Sequence, residues 1–356
     1  MTDGLYDRYS GRLEDFWGRR ENAARHERLF HVFGWPVVLS SNDEPVLAAA
    51  DHAEPLYSHV PPLDREPFRI RLAVRDPELD PGMDVDPGPD PQTGHLPERL
   101  APLIRYTGSG DWIHLDLSTW GQCFAELRRG EAAGVLSPAL AARPDQVTLV
   151  VLNTLLTNFL TRHGYAMLHA TALVREDRVL MLMAPHNSGK STTALRLALA
   201  GHFSLLTDSM VYVAGSEAGL QLTGFPVGRG KLRRDMLPAF PELAGRLTPE
   251  HVRDETKYIL DLRTFNPDLV FEEALNPQQV DWCLLSRTDR TNSTVRPATE
   301  AEAWDSIMVN SLHYDERGIW EENLRKIEPL VKMARFWHLE LGRNGKDVEE
   351  VMRAMG

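Results

Sequence analysis

Apolar and polar positions along the chain fall into three rhythms. The first is strict alternation. Phe68-Arg69-Ile70-Arg71-Leu72-Ala73-Val74 alternates and predicts a half-buried strand. Leu103 to Thr107, the turn Gly108-Ser109-Gly110, and Trp112 to Leu117 predict a hairpin, with Cys123 to Leu127 and Gly134 to Leu136 expected in the same sheet. His31 to Leu39 reads as strands around a Gly/Pro turn, and Ser40 to Glu44 as a cap for a helix starting near Pro45. The second rhythm is the continuous apolar run of a strand buried on both faces. Val179 to Met183 has it; Leu205 to Val213 reads as a buried strand with Asp208 in its middle, and Gly164 to Val174, Val280 to Arg287 and Trp337 to Leu341 read as further strands. The third is helical. Pro144 to His163 carries Val147, Val150, Val151, Leu155, Leu156 and Leu160 on a broad apolar face, with proline in the first turn. Ala194 to Leu199 continues a shorter helix that Gly201 ends. Thr299 and Glu302 are spaced as a capping box, and Asp347 to Met355 predicts a final helix.

Two segments keep none of these rhythms fully. Residues 1–28 are rich in Arg, Glu and Asp, with Leu5, Tyr9, Leu13 and Trp17 near helical spacing, and predict an amphipathic arm. Residues 76–97 are rich in Asp, Pro and Gly and predict a solvated loop; they lack the spaced acids of a calcium loop. The expected organisation is therefore a helical arm (1–28), a smaller α+β domain (29–143) and an α/β domain with a mixed sheet (144–356).

Charge and cysteine usage narrow the function classes. The net charge of −12 argues against a general nucleic-acid or anionic-membrane surface. Two cysteines, Cys123 and Cys283, lie far apart in apolar runs; they exclude a disulfide framework and predict core thiols. The N-terminus has no apolar signal segment, and the apolar stretch from Val147 to Leu160 is too short and too polar to span a bilayer, so a cytoplasmic protein is expected. His114, on an alternating strand, reads as a structural histidine.

The chemistry concentrates between Val179 and Thr193. A buried strand runs into Ala184-Pro185-His186-Asn187-Ser188-Gly189-Lys190-Ser191-Thr192 and then into a helix. This matches G-x-x-x-x-G-K-[ST], the phosphate-binding (Walker A) loop, with Ala184 in place of the first glycine. Pro185 to Thr192 would cradle phosphates with backbone N–H groups at a helix start. Lys190 would reach the outer phosphates, and the Ser191 hydroxyl would sit on a magnesium ion. His186 and Asn187 are expected to act through the backbone. If the first glycine position needs a left-handed backbone, alanine costs about 1–2 kcal/mol there; otherwise it costs little. Asp208, a charge inside an apolar strand, requires a partner; the metal ion on Ser191 or a substrate hydroxyl would serve. Arg229, Lys231, Arg233, Arg234 and Lys257 form a basic cluster that reads either as a solvated face or as a grip on substrate phosphate or carboxylate.

In order, Leu168-His169-Ala170, Ser188-Gly189-Lys190-Ser191-Thr192 and Leu206-Thr207-Asp208-Ser209 resemble the catalytic domain of the HPr kinase/phosphorylase family, in particular the HPr-kinase-like proteins found with peptide-modification pathways. The specific motifs lie between Gly164 and Val213; the looser likeness extends over most of the chain. The resemblance implies an α/β fold of the HPr-kinase and PEP-carboxykinase kind. It implies phosphoryl transfer from ATP, with Mg2+, to a hydroxyl on a peptide, protein or small molecule, and a tendency to form homo-oligomers. It places the base for the acceptor hydroxyl on Asp208, an assisting histidine on His169, and the metal on Ser191 and Asp208. The chain departs from the family at Ala184 and at Ser209, where a second acid is expected. It also lacks a counterpart of the late Gly/Arg loop, so the phosphorylase half-reaction and HPr as acceptor are not expected. Two other readings stand beside the kinase: a nucleotide-binding regulator or pseudokinase without phosphotransfer, and a plain P-loop ATPase. No guanine signature and no arginine-rich ring-ATPase signature accompanies the loop.

Overall fold

The computed structural model describes residues 25–75, 105–109, 111–185, 188–216, 219–252, 255–310, 317–343 and 347–353. Most of the expected N-terminal arm, the Asp/Pro segment 76–97, and His186 and Asn187 lie outside the described residues; within the last stretch of the arm, His26 already opens a strand. The architecture is mixed α/β. The described residues divide into two units, one within Met1–Pro55 and Pro61–His163, the other within Leu56–Val60, Gly164–His313 and Gly318–Gly356.

The first unit is a seven-stranded sheet. Its strands are β1 (His26–Val32), β2 (Trp35–Ser41), β3 (Phe68–Val74), β4 (Arg105–Ser109), β5 (Trp112–Asp116), β6 (Gly121–Glu126) and β7 (Glu131–Leu136), ordered β1-β2-β3-β7-β6-β5-β4. β3 runs parallel to both its neighbours, and the other pairs are antiparallel. The alternation read from β3 is realised: Phe68, Ile70 and Leu72 are fully buried, and Arg69 and Arg71 are exposed. The helical run starting at Pro144 and ending in α1 (Asn153–Arg162) belongs to this unit. The division therefore falls at His163/Gly164 and not before Pro144. The reason is packing: Phe159 stacks on Phe68 at 4.3 Å and meets Trp35 edge-on at 5.3 Å, and the Thr148 hydroxyl donates to the Ala49 carbonyl at 2.7 Å. Cys123 is a buried thiol pushed up to about 12 by burial. His114 stacks on Phe124 at 4.2 Å, and burial holds it below the ordinary imidazole value.

The second unit is built from β8 (Tyr165–Leu168), β9 (Thr171–Arg175), β10 (Arg178–Met183), α2 (Lys190–Leu199), β11 (Ser204–Thr207), β12 (Met210–Ser216) and β13 (Gly219–Phe225), followed by β14 (Arg229–Arg233), β15 (Leu247–Val252), β16 (Glu255–Asp261), β17 (Gln279–Arg287) and β18 (Thr294–Pro297). α3 (Glu300–Asn310), α4 (Arg317–Met333), β19 (Ala334–Leu341) and α5 (Val348–Arg353) complete it. A six-stranded sheet, ordered β11-β9-β10-β17-β19-β18, forms the frame. β10, β17 and β19 are mutually parallel, β9 is antiparallel to β10 and to β11, and β18 is antiparallel to β19. β11 therefore points the same way as β10. Two three-stranded sheets, β13-β12-β8 and β14-β16-β15, accompany it.

The frame is buried on both faces, which explains the unbroken apolar runs. Leu180 and Leu182 of β10 pack with Ala194, Leu195, Leu197 and Ala198 of α2. Val179, Met181 and Met183 pack on the opposite side with Ile307 of α3 and Ile327, Leu330 and Val331 of α4. α3 opens with the expected capping box: Glu302 N–H donates to the Thr299 hydroxyl at 3.2 Å, and Thr299 N–H donates to the Glu302 carboxylate at 2.8 Å. At the edge where β10 and β17 begin, Asp281 is fully buried among donors. Arg178 lies at 2.5 Å, Arg335 and the Trp337 indole at 2.9 Å, and the Gln279 amide at 3.0 Å. Among the described residues no helix is long and apolar enough to cross a membrane.

Candidate functional site

The strands expected to carry His169 and Asp208 through their middles are each two strands. β8 ends at Leu168 and β9 begins at Thr171; β11 ends at Thr207 and β12 begins at Met210. At both breaks the chain passes from one sheet to another, since β8 and β12 pair in the three-stranded sheet and β9 and β11 pair in the six-stranded one. Thr207 lies opposite Ala172 and Val211 opposite Leu168, so the two crossings lie side by side. His169 and Asp208 occupy these crossings. Periodicity alone cannot mark such a switch, because both halves of each run are apolar.

The crossing at Asp208 is fixed locally. An irregularity in the β11–β9 register falls between Leu205 and Thr207, and a bulge of this kind re-aims the residues after it. The Thr207 hydroxyl donates to the Phe225 carbonyl at 2.8 Å and accepts from Ser209 N–H at 3.2 Å. His169 N–H donates to the Asn310 carbonyl at 2.8 Å. Asp208 is 6 % exposed. Its Oδ1 accepts from the Thr171 hydroxyl at 3.1 Å, its Oδ2 accepts from Lys231 N–H at 3.2 Å, and Ser191 hydrogen-bonds it through its side chain. Burial pushes the Asp208 carboxyl above its ordinary range, against the opposing pull of the Lys231 ammonium and of the bonds from Ser191 and Thr171.

The loop end of β10 supplies the facing wall. Gly189 caps α2 at φ 106°, a conformation that favours glycine; a Cβ there would meet Leu341 Cδ1 at 3.1 Å and Arg287 Nη2 at 3.4 Å. Ala184 is buried against Leu182 and Ala194, and it is not among the positive-φ residues. Alanine therefore carries no left-handed strain at that position. Lys190 folds back, its Nζ donating to the Ala184 carbonyl at 2.6 Å and to the Pro185 carbonyl at 3.3 Å. Burial pulls its ammonium below the ordinary lysine value, which Asp208 opposes. The Ser188 hydroxyl donates to the Pro185 carbonyl at 2.7 Å, and Arg287, at the end of β17, donates to the Ser188 carbonyl at 3.2 Å.

One cleft brings these groups together. It is lined by His169, Ser188 to Thr192, Asp208 and Ser209, and also by Lys231, Arg233, Lys257 and Arg287. Of the basic cluster, then, Lys231, Arg233 and Lys257 face the cleft, whereas Arg229 lies 3.5 Å from Glu250 and Arg234 is exposed. Thr171 and Arg287 carry no motif signal. Only strand pairing puts them at the same edge as the loop. A second cleft adjoins the first along Gly189, Thr192, Met236 and Arg287, and continues over Arg196, Asp289, Leu341 and Arg343. Chemically, a glycine-capped helix start with a lysine in reach suits an anion. One carboxylate and one hydroxyl in contact, Asp208 and Ser191, suit a hard cation that keeps most of its ligands from water or phosphate. Among the described residues no group of three or more His, Cys, Asp or Glu could hold a metal by itself.

No family model matches the chain, and no curated protein does. Among solved structures, the Hpr(Ser) kinase/phosphatase from Coxiella burnetii is similar over 53 % of this chain and 95 % of that one, at 13 % identity and a TM-score of 0.27. So loose an overlap decides nothing about this site.

Proposed function

We propose that the second unit binds ATP with Mg2+ and transfers the terminal phosphoryl group to a hydroxyl. The observation that carries this reading is the placement of Lys190 and Ser191, at the glycine-capped start of α2, in one cleft with the buried carboxylate of Asp208. The backbone from Pro185 to Thr192, with His186 and Asn187 inside it, and the Lys190 ammonium would hold the phosphates. Ser191 and Asp208 would hold magnesium, which when bound would neutralise charge on the phosphates. The carboxyl ends of β10, β17 and β19 point to this edge, the usual place for a ligand in an open α/β sheet. The nucleoside would lie over the cleft lined by Arg287, Asp289 and Arg343, leaving the Asp208 side to the acceptor.

The acceptor oxygen would attack the terminal phosphorus as its proton passes to Asp208, and the bond to the bridging oxygen would break to release ADP. A carboxylate with a raised pKa is a better proton acceptor than an ordinary one. His169, at the neighbouring crossing, could take the proton onward. The pseudokinase reading draws on Ser209, which leaves Asp208 as the single carboxylate among the described residues lining the cleft. The experiment that separates the readings is incubation with γ-labelled ATP and candidate peptide and small-molecule hydroxyls, wild type beside Asp208→Asn. Transfer that persists in Asp208→Asn removes Asp208 as the base. ATP binding without transfer to any acceptor favours the regulator, and ADP release without an acceptor favours the ATPase.

A further inference from the structure

The wall of the cleft next to Asp208 is made by β14 and β16. Lys231 and Arg233 stand two apart on β14, and Arg233 lies directly opposite Lys257 of β16, so all three share one face. Like charges directly opposite on a sheet destabilise it. Glu250 of β15 stands opposite Lys257 on that face, but its carboxylate is taken by Arg229 at 3.5 Å; among the described residues neither Lys231 nor Lys257 makes an ion pair, and the Lys231 ammonium rests on the neutral Ser209 hydroxyl at 3.3 Å. Arg233 has Asp235 at 3.1 Å, an exposed partner outside the cleft lining. The chain as a whole carries 51 acidic against 39 basic residues, so carboxylates to neutralise this wall are not scarce. Among the described residues that line the cleft the one carboxylate is Asp208, against Lys190, Lys231, Arg233, Lys257 and Arg287.

The position of the wall says which ligand group it serves. Asp208 Oδ2 is bonded to the backbone N–H of Lys231 itself. Any hydroxyl that approaches Asp208 brings its neighbouring atoms against β14 and β16. A neutral acceptor would leave these lysines desolvated and unpaired. We infer that the acceptor carries an anionic group, carboxylate or phosphate, beside the hydroxyl, and that Lys231 and Lys257 bind that group while Asp208 faces the hydroxyl. This rests on the kinase reading and adds its substrate class.

The test uses the full chain saturated with Mg2+ and AMP-PNP, titrated calorimetrically with glycerol 3-phosphate, with glycerate and with glycerol. The first two carry an anion beside the hydroxyl, one phosphate and one carboxylate; the third carries none. At least one anionic probe is expected to bind about tenfold or more tighter than glycerol, the worth of a charge-assisted hydrogen bond. Which of the two binds tighter names the anion. Lys257→Met keeps the length of the side chain and is expected to remove that gain, while weakening AMP-PNP binding far less. Thermal melts of the variant check that it folds, and Lys231→Met provides a second reading of the same wall. Glycerol binding as tightly as both anionic probes overturns the inference. So does a loss of AMP-PNP affinity in Lys257→Met as large as the loss of probe affinity, because the wall then serves the donor phosphates. If wild type binds no AMP-PNP, or binds it as well when Lys190 is replaced by Met, the kinase reading itself fails, and that result is distinct from either.

Discussion

Two buried aspartates sit at opposite edges of the same six-stranded sheet. Asp281 is 0 % exposed and Asp208 is 6 % exposed, so burial does not separate them. Their partners do. Asp281 is surrounded by two guanidinium groups, an indole N–H and an amide. Asp208 has a threonine hydroxyl, a serine hydroxyl and one backbone N–H, and among the described residues no ion pair. A carboxylate whose charge is met by fixed cations is a structural clamp. One whose charge is met only by neutral donors, with lysines at a distance, stays ready to bind a cation or a proton. On the proposed reading the two edges divide the labour: strand starts lock the sheet, and strand ends would carry the chemistry.

The comparison breaks most visibly at Asp208. Asp208→Asn is expected to lower phosphoryl transfer by about 10²- to 10⁴-fold, the range for loss of a general base, as measured by initial rates with labelled ATP. It should leave the fold intact. Asp281→Ala is expected to do the reverse: a destabilisation of about 3–5 kcal/mol, as when one partner of a buried ion pair is removed, read by denaturant melts, with nucleotide affinity retained in the folded fraction. If Asp281→Ala melted like wild type, the clamp reading would be lost.

Smaller effects sharpen the contrast. Thr171→Val removes a bond that holds the Asp208 carboxylate in its charged form. The acid limb of the rate–pH profile should then move to higher pH, with a loss of about 1 kcal/mol in transition-state stabilisation. An unmoved acid limb would mean that Asp208 does not set it. The smallest effect concerns stability. The Asp208 carboxyl is raised in the folded state, so its favourable contribution is complete below the carboxylate value of the unfolded chain and is lost as pH rises through the folded value. Asp208→Asn imitates the protonated form. It should therefore melt above wild type at neutral pH, and the difference should shrink towards acid pH. A difference that grows on acidification would reverse the sign and contradict the raised value.

Much of this was readable from residue order alone, for reasons that can be named. β10 is buried on both faces, and its run Val179 to Met183 therefore has no polar interruption. The Thr299/Glu302 box and the helix end at Gly201 are local devices, fixed by a few neighbouring residues. What depends on pairing partners was not readable. His169 and Asp208 looked like polar residues inside single strands, because a change of sheet leaves no mark in an apolar run. The apolar face of the helical run from Pro144 announces burial but not against what, and it is Phe68 and Trp35 that place it in the first unit. α4 (Arg317–Met333) was not expected, since Pro329 lies inside it and Gly318 near its start. Charge alone groups Lys257 with Lys231 and Arg233, but only the β14–β16 register sets Lys257 opposite Arg233 and puts the three on one face.

The paired crossings at His169 and Asp208 have an implication for how such a site can change. The two residues sit like adjacent stitches through one seam between two sheets. Neither can be relocated by lengthening its own strand, because the opposite stitch fixes where the seam runs. A transplant of this chemistry into another sheet pair has to carry both crossings as one piece, with the Thr171 and Thr207 side chains that tie them. A graft of the acid segment alone would give a strand with a misplaced charge.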